Sequence, residues 1–139
     1  MYYPVSALLI EFLILSIVDT QDSYGYEISQ TVKIVADIKE STLYPILKKL
    51  EKSGFVTTYS QEFQGRKRKY YSITDDGRKQ LEFLHREWNS YRDTIDGIIE
   101  GRIRNNNNCQ ITSKMGDVEL SVPEKKSQYS GIQSGYQYG

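Results

Sequence analysis

Cysteine and histidine are almost absent from this sequence, which has one of each among its 139 residues. The lone Cys109 cannot form an internal disulfide, and together with the lone His85 it cannot supply the ligands of a Cys/His zinc site. The same scarcity excludes most catalytic triads built on histidine. No glycine-rich phosphate-binding loop is visible either. We therefore expect no enzyme activity, no resident metal and no cofactor.

Long apolar runs are also missing. The most apolar stretch, residues 5–18, has 14 residues, whereas a helix that spans a bilayer needs about 20. The first basic residue is Lys33, so no positively charged segment of the kind that opens a signal peptide precedes this stretch. These features predict a soluble, cytoplasmic protein with no membrane partner.

An excess of one charge is absent overall, because 18 Lys and Arg balance 18 Asp and Glu. The charge is nevertheless uneven along the chain. Residues 1–43 hold 2 basic and 6 acidic side chains, a net of −4, whereas residues 44–79 hold 9 basic and 4 acidic ones, a net of +5. A local basic patch is what attracts a polyanion. The middle of the chain is therefore the candidate for nucleic-acid binding.

Apolar periodicity predicts three helices in the first half of the chain. The first covers residues 5–18, and the second carries Ile28, Thr31, Val32 and Val35 on one face. The third covers residues 41–54, where apolar side chains recur at the spacing i, i+3, i+4 and i+7. We expect Ser41 to cap the start of this helix and Gly54 to end it in the left-handed conformation.

A hairpin and a long fourth helix follow. Residues 55–63 and 68–73 are rich in Val, Thr, Tyr and Phe, and flank a turn predicted at residues 64–67. The fourth helix begins after Thr74 and carries apolar side chains at the heptad spacing of a coiled-coil seam. These are Leu81, Leu84, Trp88, Tyr91, Ile95 and Ile98. We predict that they form a homodimer; packing on the first helix of the same chain is the alternative.

This order of elements predicts a mainly α fold with a small β-hairpin. Residues 1–74 would form a winged helix-turn-helix DNA-binding domain, residues 75–104 a dimerisation helix, and residues 105–139 a disordered tail. An exposed third helix fits the major groove, and a basic hairpin tip can approach phosphates. The expected DNA contacts are Ser41, Thr42, Tyr44, Lys48, Lys49 and Lys52 in the helix, and Arg66, Lys67, Arg68 and Lys69 in the hairpin. The alternatives are a merely solvated basic face and, for Tyr44, packing against a neighbouring helix.

Several motifs, in order, resemble those of PadR-like transcriptional regulators. They are Tyr24-Gly25-Tyr26-Glu27-Ile28, Ser41-Thr42-Leu43-Tyr44-Pro45, residues 47–54 (LKKLEKSG), and residues 68–74 (RKYYSIT) followed by Gly77-Arg78. The resemblance covers residues 5–100 and implies a dimeric repressor that binds double-stranded DNA, with the fourth helix as the dimerisation arm. Because fold does not imply function, a winged-helix module that binds protein or RNA is the alternative.

Trp88, the single tryptophan, lies midway along the predicted seam. A tryptophan there resembles the multidrug-sensing members of the family, in which paired tryptophans sandwich flat aromatic ligands. The resemblance implies a small planar aromatic effector that releases the repressor from a pseudo-palindromic operator. The expected effector-binding residues are Val5, Leu8, Phe12, Ser16, Trp88 and Arg92. A core role for Trp88 is the alternative.

Overall fold

The computed structural model describes residues 1–105, and the chain divides into two compact units, Met1–Glu87 and Trp88–Gly139. The described residues form four helices and three strands. In chain order these are α1 (Ala7–Thr20), β1 (Ser23–Tyr24), α2 (Gly25–Val32), α3 (Glu40–Lys52), β2 (Val56–Phe63), β3 (Arg66–Ile73) and α4 (Asp75–Ile99). The predicted mainly α fold with a small hairpin is confirmed.

The first helix, α1, is built around a buried apolar face. Ser6 caps its start by accepting a hydrogen bond from the Leu9 backbone N–H at 3.2 Å, so α1 begins two residues later than the sequence predicts. Its buried positions are Ile10, Glu11, Ile14, Leu15 and Val18, which recur every three or four residues. Among the described residues, no helix has both the length and the apolar character needed to cross a membrane.

One apolar cluster joins the elements of the first unit. Its buried members are Ile10, Ile14, Leu15, Val18, Ile28, Val32, Ala36, Leu43, Leu47, Leu50, Val56, Tyr71, Ile73 and Leu84. Each fully buried Leu or Ile side chain contributes about 1.5–3 kcal/mol relative to exposure. Because α3 supplies three of the leucines, the buried face of α3 is fixed and its opposite face is turned to solvent.

The strands form one antiparallel sheet in the order β1-β3-β2. Strands β2 and β3 pair from Val56 opposite Ile73 to Phe63 opposite Arg66. Only Gln64 and Gly65 connect them, with φ of 50° and 77°, the signature of a type I′ hairpin turn. The predicted turn over residues 64–67 is therefore too long: Arg66 and Lys67 already belong to β3. Strand β1, two residues long, was not predicted.

The end of α3 and the start of α4 meet at Gly54. Gly54 has a φ of 82°, and the N–H of Phe55 donates to the Leu50 carbonyl at 3.0 Å, which is a Schellman motif. The predicted role of Gly54 is thus confirmed. Thr74 donates its hydroxyl proton to the Gly54 carbonyl at 2.6 Å and accepts a hydrogen bond from the Gly77 N–H at 2.9 Å, so Thr74 caps the start of α4.

Two further predicted helix boundaries, in α2 and α3, were wrong. The N-cap of α3 is Lys39, and the helix begins at Glu40, ahead of Ser41. Glu40 is held in this first turn because its carboxylate accepts hydrogen bonds from Ser29 at 3.0 Å and Lys33 at 2.9 Å. Helix α2 ends at Val32, so Val35 lies beyond it and is exposed.

The second unit is described from Trp88 to Asn105 and contains the last half of α4. Gly101 has a φ of 80°, and the Arg102 N–H donates to the Gly97 carbonyl at 2.8 Å, so this helix also ends in a Schellman motif. The side chain of Ile103 packs on Gly97. Apart from Asn105, the segment predicted as a disordered tail lies outside the described residues.

Candidate nucleic-acid interface

Helix α3 exposes the face predicted to meet DNA. Leu43, Leu47 and Leu50 are buried against the core. The predicted contacts on the helix, namely Ser41, Thr42, Tyr44, Lys48, Lys49 and Lys52, are all exposed. With 13 residues, the helix is about 20 Å long, a size that enters a major groove. Burial of one face of α3 therefore leaves the other face available to a duplex.

Tyr44 also packs against α2. A Cβ atom added to Gly25 would lie 2.8 Å from Cε1 and 3.1 Å from the hydroxyl of Tyr44. The glycine at the start of α2 thus makes room for the tyrosine ring. Because 41% of Tyr44 stays exposed, the ring supports α2 with one side and faces solvent with the other. Tyr44 therefore does pack against a neighbouring helix, and a DNA contact by its exposed side stays a prediction.

The hairpin, hereafter the wing (β2, β3 and their turn), carries its cations on both faces. Side chains alternate along a strand, so Arg66 and Arg68 share one face of β3 while Lys67 and Lys69 share the other. Arg68 is half-buried and the other three are exposed. The wing thus presents positive charge on either side of its tip.

Glu51 ties the wing to α3. Its carboxylate accepts a hydrogen bond from the Thr58 hydroxyl at 3.1 Å and lies 3.6 Å from the Lys69 ammonium. Thr58 and Lys69 belong to β2 and β3, so a single side chain of α3 contacts both wing strands. The two basic elements are therefore held in a fixed relation, although sequence reasoning gave Glu51 no role.

Lys49 has a partner on α1. Its ammonium lies 2.7 Å from the carboxylate of Glu11, and the Glu11 side chain is only 9% exposed. No local sequence pattern predicts this pair, because the two residues are 38 positions apart along the chain. Lys49 thus connects α3 to α1 from the edge of the predicted DNA face.

The remaining cations of α3 and the wing have no ion-pair partner within residues 1–105. Lys49 and Lys69 have ion-pair partners there. No carboxylate of the described residues lies within 4.0 Å of the other predicted cationic contacts, which are Lys48, Lys52, Arg66, Lys67 and Arg68. Uncompensated positive charge on two neighbouring elements favours a polyanionic partner.

Aromatic rings surround Arg68 on the face of the sheet that it shares with Arg66. The guanidinium carbon lies 4.1 Å from the ring centroid of Tyr24 and 3.9 Å from that of Phe63. Beside it, Tyr70 stacks on Tyr59 with centroids 5.6 Å apart. Sequence reasoning missed these rings because their neighbourhood depends on strand β1 and on the exact register of the hairpin.

Two tyrosines of the sheet keep their protons more tightly than usual. The pKa of Tyr59 is raised because its hydroxyl donates a hydrogen bond to Asp22 at 2.7 Å. The pKa of Tyr71 is raised by burial. Both phenols are therefore neutral near pH 7 and leave the positive charge of the wing undiminished.

The match to known proteins agrees with this geometry. Residues 14–83 match the Transcriptional regulator PadR-like family. The chain belongs to this family of transcriptional regulators. The motif resemblance seen in the sequence is thereby confirmed, and DNA binding by the family fits the exposed α3 and the basic wing.

Several solved structures are similar to this PadR-like chain. The protein smu.1704 of Streptococcus mutans UA159 is 69% identical, with a TM-score of 0.74 over 76% of this chain and 100% of that one. A PadR family transcription regulator from Clostridium difficile R20291 is 33% identical, with a TM-score of 0.61 over 65% and 97%. Bacillus subtilis PadR, solved in complex with operator DNA, is 27% identical, with a TM-score of 0.50 over 55% and 46%.

The predicted dimer seam is divided between the two units. In the first unit, Leu84 is buried and Leu81 packs against the core, as the intramolecular alternative expected for these two. In the second unit, Tyr91, Ile95 and Ile98 are exposed by 63%, 37% and 58%. That these three residues form a dimer interface stays a prediction.

The predicted effector residues also lie in both units. In the first unit, Val5 and Phe12 are half-buried and Leu8 is exposed, while the Ser16 hydroxyl donates to the Phe12 carbonyl at 2.9 Å. Phe12 and Ser16 border a shallow depression together with Asp19, Leu81 and His85. In the second unit, Trp88 lies beside Tyr91, with ring centroids 6.5 Å apart. Arg92 pairs with Asp93 at 3.2 Å.

Within residues 1–105, no group of three His, Cys, Asp or Glu side chains is arranged to hold a metal.

Proposed function

We propose that this PadR-like regulator binds a specific double-stranded DNA sequence through α3 and the wing, and acts as a repressor in the cytoplasm. The observation that carries this proposal is the set of unpaired cations on two elements that Glu51 holds together. Lys48 and Lys52 lie on α3, and Arg66 and Lys67 lie near the wing tip. The operator complex of Bacillus subtilis PadR supports the proposal.

Specificity would come from α3 and affinity from both elements. Hydroxyls and long cationic side chains at the start and middle of an exposed helix can reach base edges in the major groove. On α3 these are Ser41, Thr42 and Lys48. Contacts to phosphates position a protein but carry no base sequence, which is the role we assign to the wing. The two parts thus predict different mutant phenotypes.

The experiment compares two matched double variants. Arg66→Ala/Lys67→Ala removes two wing cations, and Lys79→Ala/Arg86→Ala removes two exposed cations of α4. We expect the wing variant to lose affinity for all duplexes and the α4 variant to lose little, as measured by fluorescence anisotropy at fixed salt. Thr42→Ala should instead change the preferred sequence. Equal losses of DNA affinity in the two double variants would contradict the proposed wing contact. Binding of RNA or protein in place of duplex DNA would favour the alternative function, a winged-helix interaction module.

We also propose that the regulator is a homodimer formed through the exposed apolar residues of the second unit. Tyr91, Ile95 and Ile98 follow one another at spacings of 4 and 3, so they lie on one side of the helix. Exposed apolar stripes are rare on soluble monomers. A two-fold axis would set half-sites about 10 base pairs apart or a multiple of that. Sedimentation should show a dimer for the wild-type chain and a monomer for Ile95→Asp; a wild-type monomer would contradict the proposal.

A planar aromatic effector is the third proposal. Trp88 is the single tryptophan, so its fluorescence reports on its surroundings alone. Planar ligands stack on indole rings, and we expect saturable quenching by planar dyes together with weaker DNA binding when the dye is added. Absence of quenching by every planar ligand tested would indicate that Trp88 only packs.

A further inference from the structure

We propose that Arg68 is a pre-oriented phosphate-binding residue of the wing, and that Tyr24 and Phe63 are the positioning residues that hold it. This inference rests on the proposed DNA binding and deepens it, because it assigns one wing cation a fixed geometry. Of the other wing cations, Arg66 and Lys67 are exposed and contact no ring within residues 1–105, while the Lys69 ammonium lies 5.5 Å from the Tyr71 ring centroid and 3.6 Å from the Glu51 carboxylate.

The position of Arg68 follows from the register of the sheet. Arg68 lies on the central strand β3, between β1 and β2. Tyr24 pairs with Tyr70, two residues after Arg68, and Phe63 pairs with Arg66, two residues before it. Diagonal neighbours of this kind share one face and come within reach of long side chains. One ring from each flanking strand therefore reaches the arginine.

Both rings cover the charged group itself. Centroid distances of 4.1 Å to Tyr24 and 3.9 Å to Phe63 lie well inside the range of cation–π attraction. A guanidinium carries its N–H donors in its plane and can bind an oxyanion bidentately. Within residues 1–105, no oxygen accepts a hydrogen bond from this guanidinium, and no carboxylate pairs with it.

Arg68 is also continuous with the exposed side of α3. Tyr24, which contacts Arg68, is the N-cap of α2, and its neighbour Gly25 contacts Tyr44 of α3. A chain of four touching residues thus leads from the α3 surface to the guanidinium.

Pre-orientation predicts that geometry matters beyond charge. Fixing a long side chain before binding removes an ordering cost that flexible cations incur on binding. Arg68→Lys keeps the charge but loses the planar fork, and Phe63→Leu keeps the charge and the fork but removes one ring. We expect each variant to bind the duplex about three- to tenfold more weakly. Arg86→Lys, the matched control at an exposed position of α4, should change affinity less than about twofold.

The test measures the affinity of the full chain for duplex DNA by fluorescence anisotropy over a series of salt concentrations. Both variants keep the positive charge, so the slope of log affinity against log salt, which counts the phosphates neutralised, should stay unchanged, whereas general damage to the fold would lower the melting temperature and the active fraction. Phe63→Tyr restores a ring and should bind like the wild-type chain. Because Phe63 lies at the exposed end of β2, we expect Phe63→Leu to fold.

The outcomes separate the inference from the function beneath it. Weaker binding with an unchanged slope in Arg68→Lys and Phe63→Leu, together with wild-type binding in Phe63→Tyr and Arg86→Lys, supports the inference. Wild-type affinity in Arg68→Lys and Phe63→Leu overturns it while leaving DNA binding in place. Failure of the wild-type chain to bind any duplex overturns the proposed function, and the inference with it.

Discussion

The ion pair between Glu11 and Lys49 predicts a measurable coupling between α1 and α3. A pair between exposed side chains is worth about 0.2–1 kcal/mol, and removal of one partner from a fully buried pair costs about 3–5 kcal/mol. Here the Glu11 side chain is 9% exposed and the Lys49 side chain 65%, so water screens one end only. We expect Lys49→Met to lower the free energy of unfolding by about 1–2 kcal/mol.

A double-mutant cycle isolates this coupling. Lys49→Met leaves the Glu11 carboxylate buried without its partner, and Glu11→Leu removes the carboxylate alone. The double variant Glu11→Leu/Lys49→Met removes both charges and should recover part of the stability lost in Lys49→Met. The assay is urea unfolding at one fixed protein concentration, because association would make apparent stability depend on concentration. Stability changes that simply add, with a coupling below about 0.3 kcal/mol, would refute the reasoning.

The same pair predicts how Lys49 behaves toward DNA. The Glu11 carboxylate at 2.7 Å compensates the charge of Lys49, while Lys48 has no such partner within the described residues. Lys48→Met should therefore reduce the salt slope of binding by about 0.9, the loss of one phosphate contact. Lys49→Met should leave the slope nearly unchanged. Equal reductions would show that Lys49 exchanges its partner for a phosphate.

Two further predictions concern stability. Gly77→Ala gains about 1 kcal/mol of helix propensity, but the added Cβ would overlap the Phe55 carbonyl oxygen, and overpacking costs about 3 kcal/mol. Urea unfolding should therefore show a net loss of stability in this variant. A net gain of stability would contradict the close packing of Gly77 on Phe55. Glu40 has a lowered pKa, chiefly because Lys33 donates to its carboxylate. The stabilisation by Glu40 is fully present above the pKa that this carboxyl has in the unfolded chain, and it is lost as pH falls through the pKa in the folded chain. The loss of stability caused by Glu40→Gln should therefore shrink on acidification. A loss of stability that does not change with pH would argue against the pair of Glu40 and Lys33.

The helices and the hairpin could be predicted from the sequence because their signals are local. Apolar spacing fixed the buried face of α3, and Gly54 marked its end as the structure has it. The start of α3 was misplaced because Ser41 satisfies the preferences of a capping residue, while contacts from the distant Ser29 and Lys33 hold Glu40 in the first turn. Non-local hydrogen bonds outweighed a local preference.

The sequence predicts which cations form the candidate site, but it does not predict the contacts that hold them in place. Exposed cations on α3 and the wing followed from charge and periodicity. The partners that restrain them did not, because Glu11 is 38 residues from Lys49 along the chain and the ring of Tyr24 reaches Arg68 through a two-residue strand. Contacts of this kind depend on tertiary packing and strand register, which no local pattern encodes.

The central claim is that α3 and the wing recognise a specific duplex, and one measurement tests it most directly. Fluorescence anisotropy compares binding of the wild-type chain to the DNA upstream of its own gene and to a shuffled duplex of equal length and composition, over a series of salt concentrations. We predict tighter binding to the upstream DNA, with log affinity falling linearly against log salt by about 0.9 for each phosphate contacted. Equal affinity for both duplexes, or affinity that does not respond to salt, would contradict the account.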